Sequence, residues 1–319
     1  MSKTNTVAND DRKPAKRRGA RHKALGKPDV YQRVTDQIVA ALEKGVRPWM
    51  KPWSVEHAAG RVSRPLRHGG EPYQGVNVLM MWAAAGERGF ASPYWLTFRQ
   101  AQQLDACVKK GEKGTQVVYC GSFTKQETNE QGEEVESKIP FLKTYTVFNG
   151  EQIAGLPLRY LIPAEPLEQG HKQIKEAKRF FAATGADIRN GGNRAYYSDA
   201  LDYIQMPPFS CFRDAESHAA TLAHELCHWT KHPSRLDRGF GERRFGDAGY
   251  AMEELVAELG AAFLCADLGV TPEVRDDHAS YLGHWLEVLK QDKRAIFTAA
   301  SHASRAVGYL HELQTEAHR

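Results

Sequence analysis

Cysteine is scarce in this chain and falls into no pattern: Cys107, Cys120, Cys211, Cys227 and Cys265 are odd in number and widely scattered. That spacing excludes a disulfide framework and a zinc held by paired cysteines, and it fits a reducing cytoplasm. Long apolar runs are also missing. None approaches the roughly 20 residues of a membrane-spanning helix, and the first residues lack the apolar stretch of a secretory signal. A soluble cytoplasmic protein with no membrane partner is the expectation. Residues 1–28 have almost no apolar side chains, and nine Lys or Arg there stand against two Asp. Such a segment cannot bury a core and is expected to be disordered. It is either an arm that grips nucleic-acid phosphate or a solubilising tail. It alone makes the chain basic: residues 1–28 carry +7, while the remaining 34 basic and 37 acidic residues sum to −3. With 319 residues, 41% of them apolar, the chain can fill two cores.

Against that background one stretch stands out, Ala219-Ala-Thr-Leu-Ala-His-Glu-Leu-Cys-His-Trp229. The pattern from Asp214 to Leu226 reads as a helix, with Asp214 as N-cap and Pro233 marking where it must have stopped. On a helix, His224 and His228 share one face and can hold one ion, while Glu225 leans over the same site as a base for water. A third ligand is expected from Glu253-Glu-Leu-Val-Ala-Glu258. From Leu255 to Ala266 Glu258 is the sole charged side chain, so this helix is buried and its carboxylates need partners. Glu254 is read as the third ligand and Glu258 as the carboxylate behind the ligands that holds a histidine in its tautomer. Zinc, or another divalent transition metal, is the expected cofactor.

Earlier in the chain aromatics and cations interleave. Asp29 to Gly45 has a helical period. It leads into Arg47-Pro-Trp-Met-Lys-Pro-Trp53, where the prolines are expected to keep Trp49 and Trp53 out as flat surfaces between Arg47 and Lys51. Tyr73 and Asn77 open a second helix, Trp95 and Arg99 a third, and Lys109, Lys110 and Lys113 form a basic turn before a strand. A basic groove with aromatic platforms is how single-stranded DNA is bound without sequence preference; Trp95 serves either that groove or the core. Residues 126–138 read as the acidic loop of a long hairpin, and 156–170 as a linker. The remainder reads as a helix near 174–184, short strands ending in Asp202-Tyr-Ile-Gln-Met206, the motif helix, the buried helix and two more helices. Tyr203–Met206 is expected to be an edge strand available to a peptide.

These residues together resemble the ArdC-type antirestriction proteins of conjugative plasmids, whose N-terminal domain is similar to one found in TraC-type primases. The resemblance rests on Pro48–Trp53, Tyr73–Asn77, Trp95–Ala101 and Lys110–Gly114 in the first half, and on His224–His228, Glu253–Glu258 and Trp285–Phe297 in the second. It implies an α+β chain of two domains: a DNA-binding domain over 29–155, for single strands with duplex DNA as a further partner, and a zincin-like metallopeptidase domain over 171–319, rich in helix with a small antiparallel sheet. Glu254 falls where gluzincins such as thermolysin place a glutamate ligand, with Glu258 standing where thermolysin has Asp. The implied role is protection of incoming plasmid DNA from host restriction, with a protein of the restriction machinery as a substrate. The alternative is a DNA-coating protein whose zincin domain is a scaffold without peptidase activity. With a Pro-bearing linker between the halves, each site is expected to form without the other's side chains.

Overall fold

The computed structural model describes residues 29–49, 63–128, 134–161, 170–241, 248–271 and 279–316. The basic tail, Lys51 and Trp53 lie outside them, as does much of the expected linker. The chain opens on α1 (Val30–Glu43), capped by Asp29, whose carboxylate accepts the Gln32 N–H; Val34, Ile38 and Leu42, four residues apart, form its buried stripe. Helix α2 (Val76–Arg88) stops at Gly89, whose φ of 73° is the left-handed conformation that glycine adopts without strain. A short strand β1 (Trp95–Thr97) runs into α3 (Phe98–Gln103), which starts on a capping box between Thr97 and Gln100. Then come β2 (Cys107–Val108), the long strands β3 (Thr115–Thr128) and β4 (Glu134–Asn149), and β5 (Ile153–Ala154). The sheet has the order β1-β4-β3 and is antiparallel throughout, while β2 and β5 form a separate pair. Pairing in the hairpin extends to Thr128↔Glu134, well into the segment read as a loop. Polar side chains do not interrupt a two-stranded ribbon whose faces both meet solvent.

The second half contains α4 (Gly170–Ala183), β6 (Asp187–Asn190), β7 (Tyr196–Ser198), β8 (Tyr203–Met206), α5 (Ala215–Trp229), α6 (Ala248–Leu268), α7 (Ala279–Gln291) and α8 (Ala295–Glu316). Asp214 caps α5 as expected, accepting the Ser217 N–H at 2.7 Å. One expectation is corrected: Tyr203–Met206 is the centre of its sheet, with β6 parallel on one side and β7 antiparallel on the other. The apolar residues Ile204 and Met206 are fully buried there, as a central strand requires. Among the described residues the sheet edge on the motif side is β7.

Helix α6 is buried on nearly every side from Leu255 to Ala266, and α5 packs across it. Gly260 makes the close approach possible: a Cβ at that position would stand 2.6 Å from the Cys227 sulfur. The small residue inside the motif thus faces the one glycine that lets the two helices meet.

The two domains share one continuous apolar cluster. Trp49 meets Trp285 edge to face at 6.0 Å, and Trp82 meets Phe263 at 5.8 Å. Arg64 grips Asp267 with two hydrogen bonds of 2.6 Å, and the Gly75 N–H donates to Ser304. The expected independence of the two halves is therefore not how they are packed.

Candidate metal centre

Helix α5 presents His224 and His228 one turn apart, and α6 brings Glu254 against both. The two Nε2 atoms are 3.1 Å apart; one Glu254 oxygen lies 3.6 Å from His224 Nε2 and the other 3.5 Å from His228 Nε2. Ligands bonded tetrahedrally to zinc at about 2.0–2.1 Å are separated by about 3.3 Å, so these separations fit a single ion held by all three residues. The same three are the one cluster of His, Cys, Asp or Glu among the described residues arranged to hold a metal. Two imidazole nitrogens this close must share a proton or face a cation. Burial pushes His224 below its ordinary pKa. In His228 burial pulls the same way, but the charge of Glu254 and the hydrogen bond to Glu253 outweigh it and carry the imidazole up to about 9. Glu254, despite burial, is held far below the usual carboxylate range by the charge of His228 and the hydrogen bond from His224. The site is thus organised around positive charge between three donors.

Two further carboxylates stand behind these donors. Glu253 Oε1 is 3.1 Å from His228 Nδ1, which donates to it, and this contact turns Nε2 towards His224 and Glu254. Arg238 donates to both Glu253 oxygens at 2.8 Å and also to the Cys227 carbonyl and the Thr230 hydroxyl, tying the end of α5 to α6. Although burial alone would raise Glu253, Arg238 and His228 bring it down to about 2. Sequence reading missed both residues. Glu258 stands 4.0 Å from His224 Nδ1, and it receives a hydrogen bond from the Trp49 indole at 3.2 Å and from Arg47 at 3.4 Å.

Glu225, 3% exposed, lines the same cleft as the donors, together with Tyr196 and Tyr197 of β7 and with Tyr250 and Tyr281. The Tyr250 hydroxyl meets that of Tyr281 at 3.1 Å; burial, this hydrogen bond and the nearby Glu254 charge push its phenol up. Cys227, buried behind the motif, has its thiol pushed up to about 12 by burial and is inert filler.

The aromatic residues expected to meet DNA are placed differently. Trp49 is 2% exposed, Tyr73 9% and Trp95 1%. The expectation that proline holds Trp49 out to solvent is corrected: its ring is buried against Trp285, and with Arg47 it serves Glu258. Asn77 donates to the Val118 carbonyl and accepts the Val118 N–H, which binds α2 to β3. Arg99, Lys109, Lys110 and Lys113 are exposed, with Lys109 donating to the Glu151 carbonyl. Apart from Phe98 on α3, the exposed aromatics of this domain among the described residues lie on the hairpin, at Tyr119, Phe123 and Tyr145. The signal that could have found them is spacing: Tyr119 and Phe123, like Phe141 and Tyr145, stand four residues apart, which puts each pair on one face of its strand.

Residues 28–148 match the N-terminal domain of the anti-restriction factor ArdC, and residues 175–302 match a zincin-like metallopeptidase family. The uncharacterized protein y4eC of Sinorhizobium fredii is 43% identical over 91% of this chain and 94% of its own. A DNA primase TraC of Escherichia coli is 37% identical over 89% of this chain, which spans 27% of the primase. The metal-free crystal structure of the antirestriction protein ArdC of plasmid R388 superposes with a TM-score of 0.75 at 47% identity, covering 90% of this chain and 98% of that one. Its Mn(II)-bound structure gives 0.73 at 46% identity over 89% and 98%. In the described residues no helix is long and apolar enough to cross a membrane. Similar over nearly its whole length to the R388 protein, and matched in both domains, this chain belongs to the ArdC family of antirestriction proteins.

Proposed function

We propose that this chain protects incoming plasmid DNA from host restriction by binding single-stranded DNA through its N-terminal domain and cleaving a protein of the restriction machinery at a metal site in its zincin-like domain. The observation that carries the peptidase reading is the three-donor cluster of His224, His228 and Glu254 at tetrahedral spacing, with Glu225 lining the same cleft. The R388 relative is Mn(II)-bound in one structure; a set of two imidazoles and a carboxylate suits zinc at least as well. When bound, such an ion supplies Lewis-acid polarisation and makes water more acidic. Glu225 accepts the proton of the attacking water and returns it to the leaving amine. Strand β7, a sheet edge in the cleft wall, offers backbone groups that an extended peptide can pair with.

One observation favours the scaffold reading: Glu258, beside the donors, is held by Arg47 and Trp49 from the other domain, so the site is also built into the shared core. The two readings separate in Glu225→Gln, which keeps size and polarity but removes the base. Metal and DNA affinity should persist while peptide hydrolysis falls by about 10²–10⁴. Loss of protection of transferred DNA in cells carrying this variant supports the peptidase reading; full protection refutes it and leaves the coating role.

A further inference from the structure

Along β3 and β4 the register puts Tyr119 opposite Lys143, Gly121 opposite Phe141, Phe123 opposite Ile139 and Val117 opposite Tyr145. Directly opposed residues share a face, so Tyr119, Phe123, Phe141 and Tyr145 form one aromatic stripe. Neighbouring ring centroids are 6.0 Å (Tyr119 and Phe141), 6.3 Å (Phe123 and Phe141) and 6.4 Å (Tyr119 and Tyr145) apart. Three of the rings are about half exposed: 53% for Tyr119, 50% for Phe123 and 47% for Tyr145. A contiguous patch of exposed rings on a projecting ribbon marks a binding surface rather than a core. Gly121 is part of its construction. A Cβ there would stand 2.6 Å from Phe141 Cζ and 2.9 Å from Tyr119 Cε1, so the glycine lets the Phe141 ring lie across the ribbon and join the rings on either side.

We propose that this stripe is the track on which a single strand of nucleic acid stacks its bases, an inference that rests on the single-strand binding proposed above. The chemistry around the rings selects that occupant. Lys143 Nζ stands 4.9 Å from the Phe141 ring centroid, placing a cation beside the stacking faces. At the domain end, Tyr119 lines a cleft that also contains Arg67 and Arg305. Rings with cations alongside match a chain of unpaired bases joined by phosphates, whereas a duplex keeps its base faces inside. From Phe123 the stripe runs through Phe141 to Tyr119 and so towards the cleft between the domains.

The test uses the full chain and a fluorescent oligothymidylate, read by anisotropy. Tyr119→Ala, Phe141→Ala and Tyr145→Ala should each weaken binding by about 5- to 150-fold, the worth of one stacked base. Tyr119→Phe should stay near wild type because the ring remains. Lys143→Gln should make the affinity less dependent on salt. Wild-type affinity in the triple alanine variant, with the wild-type chain binding the oligonucleotide, overturns the track and leaves single-strand binding in place. No binding by the wild-type chain overturns the reading beneath it as well. Equal affinity for a duplex of the same length overturns the assignment to single strands.

Discussion

Asp214 starts the helix that carries both histidines, and its charge is part of how it does so. Its carboxyl is held below the ordinary value by the backbone hydrogen bond from Ser217, with the Ser217 hydroxyl adding to it. A depressed carboxylate contributes stability that is fully present above its unfolded pKa and is lost as pH falls through the folded one. Asp214→Ala should therefore cost about 0.5–2 kcal/mol near neutral pH, with the difference from wild type shrinking in acid; urea unfolding at both pH values measures it. A difference unchanged in acid would mean the charged cap is not the cause. The cap and the grouping of His224, His228 and Glu254 were legible because each follows from helical spacing within one segment. Glu253 was not. Two adjacent glutamates point in different directions from one helix, and which nitrogen of His228 each of them meets depends on how α6 is rotated against α5. Arg238, which fixes Glu253 in place, sits in a connection with no periodicity to read.

Between elements, the contact that sets the metal site is the crossing of α5 and α6 at Cys227 and Gly260. A methyl group on Gly260 meets the Cys227 sulfur at 2.6 Å. Overpacking of this kind costs about 1–3 kcal/mol. Gly260→Ala should lower thermal stability and weaken metal binding by moving Glu254 away from the histidines. Adding Cys227→Ala removes the sulfur and should restore much of both; no recovery in the double variant would show that the crossing is not limited by this pair. The two helices themselves were legible, α5 in its Asp214 cap and α6 in its apolar run from Leu255 to Ala266. The order of the strands beside them was not, because Tyr203–Met206 lies near α5 in sequence, and sequence proximity says nothing about which neighbour pairs on its other side. The hairpin was placed correctly, yet its exposed rings were passed over. Their importance lies in the register across two strands.

Across the whole molecule, the first domain reaches into the surroundings of the metal site through Arg47 and Trp49. Prolines flanking a tryptophan reveal a stiff segment but not what covers it, and the covering residues, Glu258 and Trp285, lie more than 200 positions away in the chain. Trp49→Phe keeps the ring and removes the indole donor, leaving buried Glu258 short of one hydrogen bond. It should reduce stability by about 1–3 kcal/mol and weaken metal binding at a site to which the first domain contributes no ligand. Unchanged metal affinity would separate the two domains functionally despite their shared core. The most direct test of the centre itself is calorimetric titration of zinc into the metal-stripped full chain. One equivalent should bind to wild type and to Glu225→Gln, about 10- to 100-fold more weakly to Glu253→Gln, and none to His228→Ala or Glu254→Ala once circular dichroism shows them folded. Tight binding of one equivalent by Glu254→Ala, or its loss in Glu225→Gln, would contradict the assignment of these residues.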